Sequence, residues 1–263
     1  MAITTFDGLI AAPKQSISIV KTASRTSVAA SWFSIFDLAG NPGAGTLAGT
    51  STTAGVVPDD TTAGFPTINA FGAGSTGYLA HVDFGNTVAC RIKLFDLLFK
   101  AGAYAFNASQ ALTSQPSYAA RVPGGDYADT QIWLEQVTAG TGVQNVAVTY
   151  TNQSGTGSRS TGTVATATNI VGRMWQLPLQ AGDTGVQKID NVVGSVATAG
   201  TFNILVLRPL WSGRCRIAND GDVHDLTKTG MSEVFATSAL YPLINADSTA
   251  TGIPELEITI ANG

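Results

Sequence analysis

Hydrophobic and polar residues alternate along several short stretches of the chain. The clearest are ISIVK (17–21), VAVTYT (146–151) and LEITI (256–260), in which every second residue is apolar. Such a period of two places the apolar side chains on one face of a strand and the polar ones on the other. These stretches therefore predict half-buried β-strands.

Other strands are predicted where β-branched and aromatic residues are bounded by clusters of Gly, Asn, Asp and Ser. NILVLRPLW (203–211) is almost continuously apolar up to its proline, which predicts a central strand that ends there. The remaining strand candidates are SVAASWFSIF (27–36), GYLAHVDF (77–84), VACRIKLFDLLF (88–99), QIWLEQV (131–137), RMWQLPL (173–179), VQKIDNVVGSV (186–196) and MSEVFATSAL (231–240).

Helical signals are scarce. TTFDGLIAA predicts a short N-terminal helical turn behind a Thr cap, with Phe6, Leu9 and Ile10 on one face. FDLLFKAG is a second candidate turn, which Gly102 would end. The pattern as a whole predicts an all-β chain folded as an antiparallel, jelly-roll-like β-sandwich.

One long segment, residues 38–77, is rich in Gly, Ala, Thr and Pro and has no period. Its composition buries too little apolar surface to order the segment alone, so it is either a decorated surface loop or an arm that lies across a neighbouring subunit. We therefore divide the chain into an N-terminal arm (1–14) and a β-sandwich domain (15–263) that carries this extended loop.

Composition narrows the class of function. Only 12% of the residues are charged, which suits a subunit packed among others better than a freely diffusing enzyme. The net charge is −4 and the Lys and Arg residues are scattered along the sequence, so we predict no phosphate-binding patch and no nucleic-acid partner. We also expect no membrane span and no targeting segment. The two cysteines, Cys90 and Cys215, lie in apolar runs and are predicted to be buried free thiols.

Catalytic motifs are not evident: the chain has no GxSxG elbow, no GxxxxGK phosphate loop and no dinucleotide-binding pattern. His81 lies in a strand pattern, and His224 belongs to NDGDVHD (219–225), which is either a solvated turn or a calcium loop built on its aspartates. The four tryptophans lie within strand-like runs, which favours core packing over stacking on sugars. We predict a protein that is not an enzyme and that has no cofactor and no bound metal.

Six blocks of the sequence carry a resemblance to a known group of proteins. They are AITTFDGLIAA (2–12), SWFSIFDLAGNPGAG (31–45), IKLFDLLFKAGAYAF (92–106), VTYTNQSGTGSR (148–159), LQAGDTGVQKI (179–189) and ILVLRPL (204–210). In these blocks the chain resembles virion structural proteins of tailed bacteriophages, of the head-decoration or cement type. TNQSG and LQAGDTGV are the most distinctive parts, and the likeness becomes faint after about residue 217.

The resemblance implies a non-catalytic β-sandwich subunit that binds the capsid exterior after synthesis in the bacterial cytoplasm. Its partners would be the major capsid protein and further copies of itself in a homotrimer. A tail or fibre component and a carbohydrate-binding sandwich are the alternatives. For contacts between subunits we single out the apolar N-terminal residues, the glycine-rich segment and the loop after VAVTYT, namely Phe6, Leu9, Ile10, Asn41, Phe65, Phe71 and Arg159.

Overall fold

A computed structural model describes residues 3–107, 109–195 and 199–263. Antiparallel β structure dominates, as the alternating pattern predicts. The strands of the described residues are β1 Lys14–Lys21, β2 Trp32–Ser34, β3 Gly40–Asn41, β4 Gly77–Asn86, β5 Cys90–Ala105, β6 Ser109–Ala111, β7 Gln131–Thr138, β8 Gln144–Asn152, β9 Arg159–Ser160, β10 Val164–Thr166, β11 Arg173–Leu177, β12 Val186–Gly194, β13 Thr201–Cys215, β14 Asp220–His224, β15 Glu233–Val234, β16 Leu240–Ala246 and β17 Glu255–Asn262. The helices are α1 Phe6–Ala11 and α2 Leu226–Thr229, with 3-10 turns at Ala119–Arg121 and Pro123–Gly125.

A closed barrel of six strands, in the order β11-β2-β16-β5-β13-β7, lies at the centre of the fold. The 16-residue β5 and the 15-residue β13 pair along almost their whole length, with register shifts that let the strands bend. Large side chains fill the interior, including those of Trp133, Tyr241 and Phe95. The closed barrel adds a detail that the predicted antiparallel β-sandwich did not contain.

A six-stranded sheet covers one part of the barrel, in the order β14-β4-β17-β1-β3 with β15 beside β4. Ile17 pairs directly with Ile258, and Ile19 with Leu256, so the two predicted apolar faces form one surface. This surface packs against Ile92 and its neighbours in the first half of β5. Both stretches therefore alternate because their apolar residues face the same core.

A five-stranded sheet covers the other part of the barrel, in the order β10-β8-β12-β6 with β9 beside β8. The apolar face of VAVTYT packs against the second half of β5 and the first half of β13, through residues such as Leu98 and Phe202. β5 and β13 thus contact all three cores, which explains why their sequences are nearly continuous in apolar residues.

Four local predictions were wrong. Within SVAASWFSIF (27–36) only Trp32–Ser34 is strand. FDLLFKAG is not a turn but part of β5, where β13 and β16 hydrogen-bond to it on its two sides. β13 does not end at Pro209: pairing with β7 stops at Leu207 and a register shift follows, so the proline does not interrupt a ladder on both sides. Within MSEVFATSAL only residues 233–234 and 240 are strand, and β16 continues through Pro242, a strand the sequence pattern missed.

The N-terminal helical turn is present as predicted, but Phe6, Leu9 and Ile10 do not share one environment. Thr5 caps α1, because its Oγ1 accepts a hydrogen bond from the backbone N–H of Gly8 at 3.0 Å. Leu9 is buried against Ala80 and Ala261, whereas Phe6 and Ile10 point to solvent. The division of the chain at residue 14 stays a prediction.

Candidate interaction surfaces

The exposed face of α1 is apolar. Phe6 is 64% exposed and Ile10 61%, and the two are four residues apart, so their side chains are neighbours on the helix surface. Lys14 supports the helix end, since its Nζ donates hydrogen bonds to the carbonyls of Ile10 at 2.9 Å and Ala12 at 3.1 Å. Leu9 is buried within the monomer, so Phe6 and Ile10 are the predicted contact residues of α1 that are exposed.

The glycine-rich segment (38–77) packs on its own chain. Phe65 is buried against Phe36 and Tyr241 at one end of the barrel, with ring centroids 4.7 and 6.2 Å away. Phe71 is half-buried against the core beneath the six-stranded sheet. Phe65 and Phe71 therefore pack inside the monomer. The role of the segment as an arm across a neighbouring subunit stays a prediction.

Asn41 is the exposed residue among those singled out in this segment. It ends β3 and pairs with Val20 of β1, at the edge of the six-stranded sheet. Its side chain is accessible there, so the structure leaves it free for the contact that the sequence predicts.

Arg159 belongs to a group of hydrogen-bonded residues that joins the two most distinctive sequence blocks. We call this group the clasp; its members are Tyr150, Asn152, Gln153, Arg159 and Asp183. The Nε of Arg159 donates to Oδ2 of Asp183 at 2.8 Å, and Asp183 also accepts hydrogen bonds from Asn152 Nδ2 at 2.7 Å and from the hydroxyl of Tyr150 at 2.7 Å. The hydrogen bond from Arg159 is the largest reason that the pKa of Asp183 falls to about 2, and those from Asn152 and Tyr150 act in the same direction.

Backbone N–H groups also contribute hydrogen bonds to the clasp. Gln153 Oε1 accepts hydrogen bonds from the backbone N–H groups of Thr184 at 3.1 Å and Gly185 at 3.2 Å. TNQSG and LQAGDTGV therefore hold each other in place, and the loop after VAVTYT is a hairpin in which β9 pairs with β8. Arg159 already has an intramolecular partner, and its predicted contact with a neighbouring subunit stays a prediction.

A polar network lies inside the barrel at the end covered by Phe65. The fully buried carboxylate of Glu135 accepts hydrogen bonds from the Tyr241 hydroxyl and, at 2.8 Å, from Asn203 Nδ2. Lys100 donates to the carbonyl of Thr46 at 2.9 Å, and burial lowers its pKa while the charge of Glu135 opposes that shift. Sequence reasoning missed this network, because its members are spread over strands that pair only in the fold.

Lys100 also borders a cavity of about 340 Å³ between the barrel and the glycine-rich segment. Its other walls are mostly apolar, with Phe36, Phe65 and Leu97 among them. The Lys100 ammonium lies 5.2 Å from the centroid of the Phe36 ring. The network therefore supplies buried hydrogen bonds that tie the segment to the barrel.

NDGDVHD (219–225) was predicted to be a turn or a calcium loop, but Asp220–His224 form β14, which pairs with β4. Asp225 caps α2 by accepting hydrogen bonds from the backbone N–H groups of Thr227 and Lys228, and Asp222 accepts one from His224 Nε2 at 2.8 Å. Because Trp211 Nε1 donates to His224 Nδ1 at 2.8 Å, the ring carries its proton on Nε2. Within the described residues no group of three or more His, Cys, Asp or Glu side chains is arranged to hold a metal ion.

The tryptophans do not form an open platform. Trp133 and Trp211 are buried, in agreement with the predicted core packing. Trp175 is half-buried beneath the guanidinium of Arg173, 4.9 Å from its ring centroid, and Trp32 lies beneath Lys93. Cys90 and Cys215 are free and buried, as predicted.

Comparison with known proteins does not identify a family for the chain. No protein-family model matches the chain, and no curated protein matches it. Among solved structures, the infectious bursal disease virus Gx strain matches with 9% identity and a TM-score of 0.18, over 95% of this chain and 80% of that one. A mutant VP2 protein of that virus from T=1 particles matches with 10% identity and a TM-score of 0.16, over 95% and 77% of the two chains.

A third structure, of a VP2 subviral particle of infectious bursal disease virus, has 9% identity and a TM-score of 0.15, over 95% of this chain and 80% of that one. TM-scores this low do not establish a shared fold, so no functional argument follows from them. The resemblance to tailed-phage proteins accordingly stays a prediction from the sequence blocks. No helix of the described residues is long and apolar enough to cross a membrane.

Proposed function

We propose that the protein is a non-enzymatic virion structural protein, specifically a decoration protein that binds the outer surface of a bacteriophage head. In this role it stabilises contacts between major capsid proteins. The proposal rests on the resemblance of the six sequence blocks and on a low charge content that suits a subunit packed against others.

The observation that carries the proposal is the apolar face of α1. Phe6 and Ile10 are exposed on a helix that is held in place from behind by Leu9 and capped by Thr5. Burying such a pair against a partner removes apolar surface from water and costs little ordering entropy, because the helix is already formed. α1 is therefore the proposed anchor to the major capsid protein.

Attachment as a homotrimer is part of the same proposal. Three copies of one weak anchor act together once the first has bound, so a modest contact per subunit is enough for stable attachment. A closed threefold oligomer also suits the symmetric positions of a capsid.

The test is binding to purified heads from which the protein has been removed. A variant lacking residues 1–12 and the double substitution Phe6→Ser with Ile10→Ser should remain folded but sediment poorly with heads. Val143→Ser is the matched control, since Val143 is also apolar and 58% exposed but lies in the connection before β8. Binding of both N-terminal variants equal to that of the unaltered chain would reject α1 as the anchor.

A second measurement addresses the role itself. Heads that carry the protein should rupture at a higher temperature than heads that lack it. Electron microscopy of labelled protein should place it on heads. Label confined to tails would instead support the tail or fibre alternative and reject the decoration role.

A further inference from the structure

The mouth of the barrel opposite the end covered by Phe65 is lined by basic residues. β5 and β13 place Arg91 directly opposite Arg214, and Lys93 directly opposite Ser212. Directly opposite residues of an antiparallel pair project from the same face with Cβ atoms about 5 Å apart. The fold thus brings together two arginines that are far apart in the sequence.

This mouth is concave. Arg91, Lys93, Arg214 and Trp32 are among the residues lining a depression of about 380 Å³. Two neighbouring depressions, of about 350 and 260 Å³, share lining residues with it and with each other. Together they form one groove, which we call the basic groove; its cationic lining residues are Arg91, Lys93, Arg214, Arg216 and Lys228.

The basic groove carries more positive charge than its own carboxylates balance. Within the described residues no carboxylate forms an ion pair with Arg91, Lys93, Arg214 or Arg216. Asp222 lines the groove, but its carboxylate is occupied by His224 at 2.8 Å and Lys228 at 3.7 Å. Asp220 lines the part of the groove beside Arg216.

Like charges held directly opposite each other are unfavourable, and so is a half-buried ammonium without a counter-charge. Lys93 is in that position: its Nζ lies 5.0 Å from the Trp32 ring centroid and 5.8 Å from that of Trp133, and burial lowers its pKa. An anion bound between the three cations would relieve both penalties. Arg91 and Arg214 are exposed, so a ligand can reach their guanidinium groups from solvent.

The donors indicate which anion fits. Two guanidinium groups, one ammonium and the hydroxyl of Ser212 offer more hydrogen bonds than the two oxygens of a carboxylate accept. A tetrahedral oxyanion has further oxygens and, as phosphate or sulfate, up to two negative charges to set against the three cations.

We propose that the basic groove binds a ligand through a phosphate or sulfate group held between Arg91, Arg214 and Lys93. The group is a free ion, a phosphate or sulfate ester, or one unit of a polymer, since all three share this chemistry. The proposal does not depend on the decoration role, because it rests only on the geometry of the barrel mouth.

The test is calorimetric titration of the full chain at constant ionic strength, with chloride as the reference anion. The probes are inorganic phosphate, inorganic sulfate, glycerol phosphate, a short thymidine oligonucleotide and a sulfated oligosaccharide. Arg91→Gln and Arg214→Gln should each weaken binding by roughly tenfold or more, because each removes charge-assisted hydrogen bonds. Lys188→Gln, which removes a cation from β12 in the five-stranded sheet, is the matched control and should leave binding unchanged.

Asp222→Asn tests whether the negative charge of Asp222 weakens anion binding in the groove. It removes a negative charge from the groove while keeping an oxygen that accepts the hydrogen bond from His224 Nε2, so it should tighten binding. The indole signal of Trp32 should shift on titration in the unaltered chain and not in the arginine variants. Thermal unfolding of each variant shows whether it is folded.

The affinities of the probes relative to one another identify the source of the group. Absence of binding by every phosphate and sulfate probe would overturn the proposal. So would binding that survives both arginine substitutions, or a glutamate-rich peptide that binds more tightly than any of these probes.

Discussion

Replacing Asp183 by Asn should loosen the clasp that joins the two most distinctive sequence blocks. The carboxylate accepts hydrogen bonds from Arg159, Asn152 and Tyr150. Its pKa falls from the usual 3.8 to about 2, which corresponds to roughly 2.5 kcal/mol in favour of the charged form. Because Arg159 is partly exposed and solvent screens such pairs, we expect Asp183→Asn to cost about 1 kcal/mol of unfolding free energy at neutral pH.

The effect has a characteristic pH dependence. A carboxyl group whose pKa is lower in the folded chain contributes stability that is complete above its unfolded pKa of 3.8 and is lost as the pH falls through about 2. The difference between the unaltered chain and Asp183→Asn should therefore shrink between about pH 4 and pH 2. Urea unfolding at a series of pH values, followed by tryptophan fluorescence, measures it.

The control is Glu255→Gln, which removes an exposed carboxylate from β17 and should change stability by less than about 0.5 kcal/mol. A difference for Asp183→Asn that stays constant from neutral pH to about pH 2 would show that charge is not the source of the stabilisation. An Asn variant as stable as the unaltered chain would refute the clasp altogether.

Three further predictions concern two buried side chains and one exposed helix cap. Tyr241→Phe should cost about 1–3 kcal/mol in urea unfolding, because the buried Glu135 carboxylate loses a donor; a cost equal to that of a surface substitution would contradict it. Asp225→Ala should lower the urea midpoint of unfolding by removing the cap of α2, and Asp225→Asn should restore most of that loss; equal midpoints for Asp225→Ala and the unaltered chain would contradict it. The thiol of Cys90 should react very slowly with iodoacetamide in the folded chain, since burial raises its pKa to about 11; mass spectrometry after timed exposure with and without urea checks this, and equal rates would refute it.

Local pattern was enough to predict most of the longer strands and the first helix, but not the short strands β3, β6, β9 and β10, nor β14. Alternation in ISIVK and LEITI anticipated faces that meet as Ile17 against Ile258, and the Thr5 cap anticipated α1. β16 was not predicted, because Pro242 interrupts the apolar sequence LYPLINA; the apolar residues of that sequence were the available signal. The proline is tolerated because pairing of β16 with β2 begins only at Leu243, so the ladder at Pro242 runs on the side of β5.

The candidate sites were much less predictable than the strands. Lys and Arg residues are scattered along the sequence, yet the pairing of β5 with β13 gathers Arg91 and Arg214 at one mouth of the barrel, which their spacing in the sequence does not reveal. The same holds for Asp183 and Arg159, whose partnership needs β8 and β12 to be neighbours. Such contacts follow from register, and register is fixed by the whole sheet.

The topology also limits how this protein can contact a partner. The closed barrel has no unpaired strand edge, but the six-stranded sheet beside it ends in the five-residue β14 on one side, and on the other β3 pairs with only Val20 and Lys21 of the eight-residue β1. A strand added by a partner would therefore pair with a flanking sheet and not with the barrel. Both proposed surfaces recognise their partners through side chains instead, and they differ in chemistry. The face of α1 offers apolar area without charge, whereas the basic groove offers charge within a concave surface, so salt should weaken ligand binding in the groove and leave the α1 contact largely unchanged.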